Sequence, residues 1–278
     1  MKTVSIFYDY GALNSKPVLT AFETGLKLHG IKTYKNSLEA DAAVIWSMLW
    51  HGRMSGNRTV YEHYRKLGKP VFIVEVGGIH RNITWRVGLN GLGRESLLRY
   101  PSFIKRTHHF NIKLNPWRSG DNILICCQNG KSELWVNMPP VEHWVSDVIS
   151  KIREVSDRPL IVRQHPRFPL KFNGTYKNVS FQKPILIKNT YDSYNLSFEN
   201  IHATVCWNST PAPQSVIDGV PVFTSINGIA YPVGNTDLSL IETPNTPDRE
   251  EWLTDYISTE FTLAEIEQGM PLKTLTNI

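Results

Sequence analysis

Apolar runs alternate with amphipathic stretches along the chain, at the spacing expected of βα units. Thr3 to Tyr8 is a nearly continuous apolar run with VSIFY at its centre, which predicts a buried first strand. A turn over Gly11 to Ser15 leads into a helix from Lys16 to His29. Leu19, Phe22, Leu26 and Leu28 give that helix an apolar side, and Gly30 stops it. Asp41 opens a second buried strand, AAVIWS, ending at Trp46 and Ser47. Asn57 to Leu67 has helical spacing again and closes at Gly68, and Pro70 to Val76 is a third core strand followed by Gly77 and Gly78. Strands alternating with helices in this way predict a doubly wound parallel sheet.

The rhythm breaks over residues 79–118, which read as a long loop. It resumes with a core strand from Asn122 to Gln128 and an amphipathic helix from Val141 to Val155, entered after Pro139 and Pro140. A short apolar run, Leu160 to Val162, opens onto Arg163, His165 and Arg167. A Pro- and Asn-rich excursion follows, then a buried strand from Ala203 to Trp207, the polar turn Asn208, Ser209 and Thr210, and a helical turn ended by Gly219. A further strand begins at Pro221, and Pro247 to Ile257 and Leu263 to Gln268 read as closing helices. Neither GALNSK nor GLNGLG is a nucleotide fingerprint: the first lacks the phosphate-loop spacing, and no strand leads directly into the second.

Length and charge change the picture. A chain of 278 residues with 41% hydrophobic content is long enough for two ordinary domains. Cys126 and Cys127 are strand neighbours facing opposite ways, and Cys206 stands alone, so neither a disulfide nor a metal cluster is expected. With a strand-like N-terminus and no apolar run of membrane-spanning length, a cytoplasmic location without a membrane partner is expected. The net charge of +5 conceals an asymmetry: residues 1–120 carry 18 Lys/Arg against 7 Asp/Glu, and residues 121–278 carry 12 against 18. A boundary near 120 is expected, with a polyanionic partner on the first half. Residues 79–118 concentrate that charge in Arg81, Arg86, Arg94, Arg99, Lys105, Arg106 and Arg118, with His108, His109, Trp85 and Trp117 among them and Glu95 the only acid. A solvated surface loop would also account for it.

Two short signals carry chemistry. Arg163, His165 and Arg167 share one strand end, where they could donate to a phosphate. Asn208, Ser209 and Thr210 sit where a strand ends and a helix begins, so backbone N–H groups and the helix dipole could hold the same anion. The hydroxyls alone would serve equally as a helix cap.

His165-Pro166 after a strand, followed by NST and GVPVF, resembles the nucleotide-sugar half of GT-B glycosyltransferases. It is similar in particular to capsule-polysaccharide transferases, and more loosely to phage enzymes that glycosylate hydroxymethylated pyrimidines in DNA. The resemblance spans about 70 residues and departs from the pattern at two positions, Ala212 in place of Gly and Gln214 in place of Glu. It implies two Rossmann-like domains facing across a cleft. Residues 1–120 would bind an anionic acceptor, double-stranded DNA before capsule or lipopolysaccharide, and residues 121–250 the donor. Residues 251–278 would be closing helices that could cross back to the first domain. The donor site would hold Arg163, His165, Arg167, Asn208, Ser209, Thr210 and Gln214. The donor implied is a nucleotide sugar, with a UDP-sugar favoured, and no cofactor or metal is required: no Asp-x-Asp motif is present.

An inverting transferase needs a general base. Glu75 and Asp9, each at the carboxyl end of an expected core strand, are candidates, with Glu75 ranked first because Gly77 and Gly78 would admit a substrate closely. Either carboxylate could instead be a helix cap or half of an ion pair. Trp50, Arg53, Arg81, Trp85, Arg86 and Arg94 are the expected acceptor contacts, with Trp50 and Trp85 available to stack on a ring. A non-catalytic nucleic-acid-binding protein with the same fold is the rival from another class.

Overall fold

A computed structural model describes residues 1–97, 110–171, 175–183, 185–188, 192, 194 and 196–276. Two compact units divide the chain. The first comprises Met1–Ile104, Lys131–Glu133 and Asp255–Ile278, the second Lys105–Gly130 and Leu134–Thr254. This division differs from the one read from charge, because residues 105–120 go with the second unit and the C-terminal segment with the first.

The first unit opens with β1 (Thr3–Ile6), α1 (Lys16–Leu28), β2 (Lys32–Lys35), β3 (Ala42–Trp46), α2 (Gly56–Lys66), β4 (Val71–Val76) and β5 (Thr84–Leu89). The apolar runs are buried as their pattern requires: Val4, Ile6, Val44, Ile45, Phe72 and Ile73 have no exposed surface. Leu19, Phe22 and Leu26 of α1 seal one face of the sheet. Two strands depart from expectation. β2 is a mostly exposed edge strand of KTYK with no apolar signature, its lysines being the usual protection of a sheet edge. β5 lies inside the segment read as loop and pairs antiparallel with β4, placing Arg86 opposite Glu75.

The second unit contains β6 (Asn122–Cys126), α3 (Val141–Arg153), β7 (Leu160–Arg163), β8 (Val179–Gln182), β9 (Ile201–Cys206), α4 (Pro211–Ile217) and β10 (Val222–Phe223). Its sheet runs β10-β9-β6-β7-β8, with every pair parallel. Trp144, Val145, Val148, Ile149 and Ile152 of α3 pack over Ile123, Ile125, Val162 and Val205. The chain first winds outward from β6 to β8, then returns to β9 on the other side of β6. The winding therefore reverses between β6 and β9, and open α/β sheets bind ligands outside the carboxyl ends of the strands at such a point.

Residues 110–121 explain the shifted boundary. Asn115 N–H donates to Ile217 O at 3.0 Å and Arg118 N–H to Gly219 O at 2.8 Å, while the Arg118 guanidinium pairs with Asp218. Trp117 donates through Nε1 to Pro247 O at 3.0 Å, and the Arg249 guanidinium lies 3.7 Å from its ring centroid. Gly219, at φ +84, sits so close that a Cβ would stand 2.2 Å from Pro116 O. Trp117 and Arg118 are thus framework of the second unit.

The chain leaves the second unit through α5 (Glu250–Ile257) and ends in β11 (Glu260–Thr262), α6 (Leu263–Glu267) and α7 (Met270–Thr276). β11 pairs antiparallel with β5, completing the first sheet in the order β11-β5-β4-β3-β1-β2. A capping box between Thr262 and Glu265 starts α6. α6 crosses α1 closely enough that a Cβ on Gly25 would stand 2.5 Å from Ile266 O. The winding of this sheet reverses between β1 and β3.

Candidate functional site

In the second unit, the carboxyl ends of β6, β7 and β9 bring together most of the residues expected to bind a donor. His165 sits in a tight turn closed by Phe168 N–H to His165 O at 3.0 Å. Its Nδ1 accepts from Arg167 N–H at 3.1 Å, so a single ring proton belongs on Nε2. Burial, reinforced by the Arg167 charge, pushes the His165 pKa down to about 4. The ring is therefore a neutral N–H donor near pH 7, and adds direction rather than charge to the site. Arg163 is half-buried at the end of β7 and donates to Tyr194 O, and burial holds its pKa below the usual arginine range. Arg167 is exposed.

The proton balance of His165 has a consequence for stability. A histidine charges in the unfolded chain near 6.5 but in the fold only near 4. Its contribution is thus present above the unfolded value and lost as pH falls through that window. Denaturant melts from pH 7 to 4 should show a steeper loss for the native chain than for His165→Gln. Identical slopes would mean that the ring is not held neutral.

The Asn208–Thr210 turn departs from expectation. Asn208 is buried and donates to Asn227 O at 3.3 Å. Thr210 is exposed at the N-cap position just before α4 and makes no side-chain cap. The expected cradle of free backbone N–H groups is much reduced. Pro211 and Pro213 have none to offer, and Ala212 N–H is spent on Ser209 O at 2.9 Å. α4 is also only seven residues long. Gln214 is half-buried in this helix. Any anion here is held chiefly by side chains. The structure adds what the sequence could not show: the side-chain oxygens Gln128 Oε1, Ser209 Oγ and Ser225 Oγ, at neighbouring strand ends, are sealed from solvent, the first and last without a hydrogen-bond partner and Ser209 Oγ against the Cys206 thiol.

The first unit corrects several acceptor assignments. Trp85 is 7% exposed and belongs to the core, so it offers no stacking face. The Arg86 guanidinium donates to Ser96 Oγ at 3.2 Å, and Tyr256, Glu260, Glu95 and Glu75 surround it. It faces inward among carboxylates and makes no open phosphate contact. Gly77 and Gly78 make room for Glu260 rather than for a substrate: Gly78 N–H donates to Oε1 at 2.8 Å and Thr84 Oγ1 to Oε2 at 2.7 Å. A Cβ on Gly77 would stand 2.5 Å from Glu260 Oε2. With that, the reason for ranking Glu75 first disappears. Glu75 is itself engaged, accepting from Ser47 Oγ at 2.6 Å and Val76 N–H at 2.8 Å.

Asp9 stays exposed in the turn after β1, beside the reversal point of the first sheet. Trp50 is half-buried, its ring centroid 5.8 Å from that of Tyr61. Arg53 and Arg94 are exposed and Arg81 half-buried. Arg99, Lys105, Arg106, His108 and His109 lie outside the described residues. The first unit also gains residues from the stretch after β6: Ser132 bridges to Leu49, and Lys131 Nζ approaches His51 Nε2 at 3.3 Å. Among the described residues, no three or more His, Cys, Asp or Glu side chains are grouped to hold a metal ion, and no helix is long and apolar enough to cross a membrane.

Neither a family model nor a curated protein matches the chain. Among solved structures, it is similar to KpsC of Thermosulfurimonas dismutans, a beta Kdo 2,4 transferase, at 13% identity and a TM-score of 0.52, over 92% of this chain and 89% of that one. That likeness shows the fold. It is a mixed α/β architecture with two sheets rich in parallel strands, shared with KpsC along most of both chains.

Proposed function

We propose that this chain is a glycosyltransferase that takes its sugar from a nucleotide-sugar donor held at the carboxyl edge of the second sheet. The observation that carries the reading is His165, fixed as a neutral Nε2–H donor beside Arg163 next to the reversal point of a doubly wound sheet. An N–H aimed at the leaving phosphate strengthens its hold as charge develops there when the sugar–phosphate bond breaks. Arg163 supplies positive charge, so activity is expected to persist in a chelator. The structural neighbour is named as a sugar transferase, which agrees with this chemistry.

The acceptor belongs to the first unit. A saccharide of the capsule or lipopolysaccharide kind is favoured over duplex DNA, since Trp85 and Arg86 are turned inward and Trp117 and Arg118 brace the second unit. Asp9, exposed at a strand's carboxyl end, is a better base than the engaged Glu75 if the sugar is inverted. The test is mass spectrometry of the protein with a panel of nucleotide sugars in the presence of a chelator. Acidic oligosaccharides and hydroxymethyl-containing DNA serve as alternative acceptors. Transfer to a saccharide is expected. Transfer to DNA alone would restore the nucleic-acid reading, and hydrolysis or transfer of no donor would overturn the proposal.

A further inference from the structure

Buried polar atoms without partners are rare in folded proteins, because each forfeits a hydrogen bond it had in water. Two of them, Gln128 Oε1 and Ser225 Oγ, stand at the carboxyl edge of the second sheet, and the buried Ser209 Oγ stands at the strand end between them. Gln128 lies two residues beyond β6, Ser209 three beyond β9, and Ser225 two beyond β10. These are neighbouring strands, since β6 and β10 flank β9. Hydrogen bonds to one carbonyl knit the edge together: Ser225 N–H donates to Trp207 O at 3.0 Å, and the Thr224 Oγ1 hydroxyl to the same oxygen at 2.8 Å. Gln128 is 5% exposed and Ser225 7%. Ser209 Oγ meets the Cys206 thiol, a weak hydrogen-bond partner.

All three groups are uncharged. Gln128 Oε1 only accepts, so it calls for a donor such as a sugar hydroxyl, whereas the two serine hydroxyls can give or take. A carboxylate facing Oε1 would set acceptor against acceptor with no proton between them. We propose that Gln128, Ser209 and Ser225 form a hydroxyl-binding floor that makes the enzyme select a neutral hexose-type sugar over an acidic one. This rests on the donor reading above and adds the class of sugar to it.

Calorimetry on the full chain separates the two. UDP alone, with GDP, ADP and CMP beside it, tests the nucleotide site. UDP-glucose against UDP-glucuronate, which differ by a carboxylate, tests the floor. UDP-glucose should bind at least tenfold more tightly than UDP-glucuronate. Gln128→Met should erase at least tenfold of the UDP-glucose affinity, leave UDP affinity unchanged, and unfold no earlier than the native chain, because it removes an unsatisfied buried carbonyl. Ser225→Ala should act in the same direction. UDP-glucuronate binding as well as UDP-glucose would overturn the inference while leaving the donor site standing. Unchanged UDP-glucose affinity in Gln128→Met would do the same, and would assign the orphan atoms to internal water. Failure of every nucleotide to bind would remove both.

Discussion

Replacing Glu260 by alanine should destabilise the first unit by about 3–5 kcal/mol, the usual cost of removing one partner from a buried charge pair. Glu260 has no exposed surface. Burial pushes its carboxyl up, while Gly78 N–H, Thr84 Oγ1 and the Arg86 guanidinium hold it down. Alanine would strip those donors of their acceptor and leave Arg86 with fewer counter-charges inside the fold. Because the residue joins β11 to the β4–β5 turn, the loss should be local at first. Amides of β5 and β11 should exchange faster while those of β6 and β9 keep their protection, and two-state analysis of a two-unit chain would hide that difference. Glu260→Gln, which keeps one carbonyl acceptor, should cost less, about 1–3 kcal/mol. Uniform loss of protection across both units would contradict the assignment.

The second large effect is on chemistry. His165→Ala should lower transfer by roughly 10- to 150-fold, corresponding to about 1.5–3 kcal/mol for a hydrogen bond to a charged group. The fold should survive, because His165 is only part-buried at a strand end. His165→Asn, which retains an N–H donor, should recover part of the rate. Between pH 5 and 8 the native rate should show no step from this ring, whose pKa lies at about 4. A rate limb near 6.5 that vanishes in His165→Asn would show instead that the ring acts as an acid or base.

Much of this architecture was legible because buried strands are written as continuous apolar runs. β1, β3, β4, β6 and β9 all stood out in that way, and the helices α1 and α3 showed their apolar faces. β2 and β5 did not, the first because KTYK is an exposed edge strand. The second mixes the inward Trp85 and Val87 with an arginine in a segment dominated by charge. Charge also misplaced the domain boundary: residues 110–118 are basic, yet their backbone and side chains are bonded to the turn between α4 and β10. The Gly77-Gly78 pair invited a substrate reading, since nothing local reveals that a carboxylate 182 positions away fills the space. Pro211 and Pro213 were different. Their missing N–H groups were visible in the sequence, which was nonetheless read as offering a backbone phosphate cradle. The partnerless atoms at the strand ends had no sequence signal, because burial without a partner exists only in three dimensions.

The most direct test is a crystal structure of the chain with a nucleoside diphosphate bound. The phosphate should lie within about 3 Å of His165 Nε2, at the carboxyl ends of β7 and β9, with the Arg163 guanidinium facing it. A nucleotide bound at any other edge of either sheet, or none bound at saturating concentration, would contradict a donor site in the second unit.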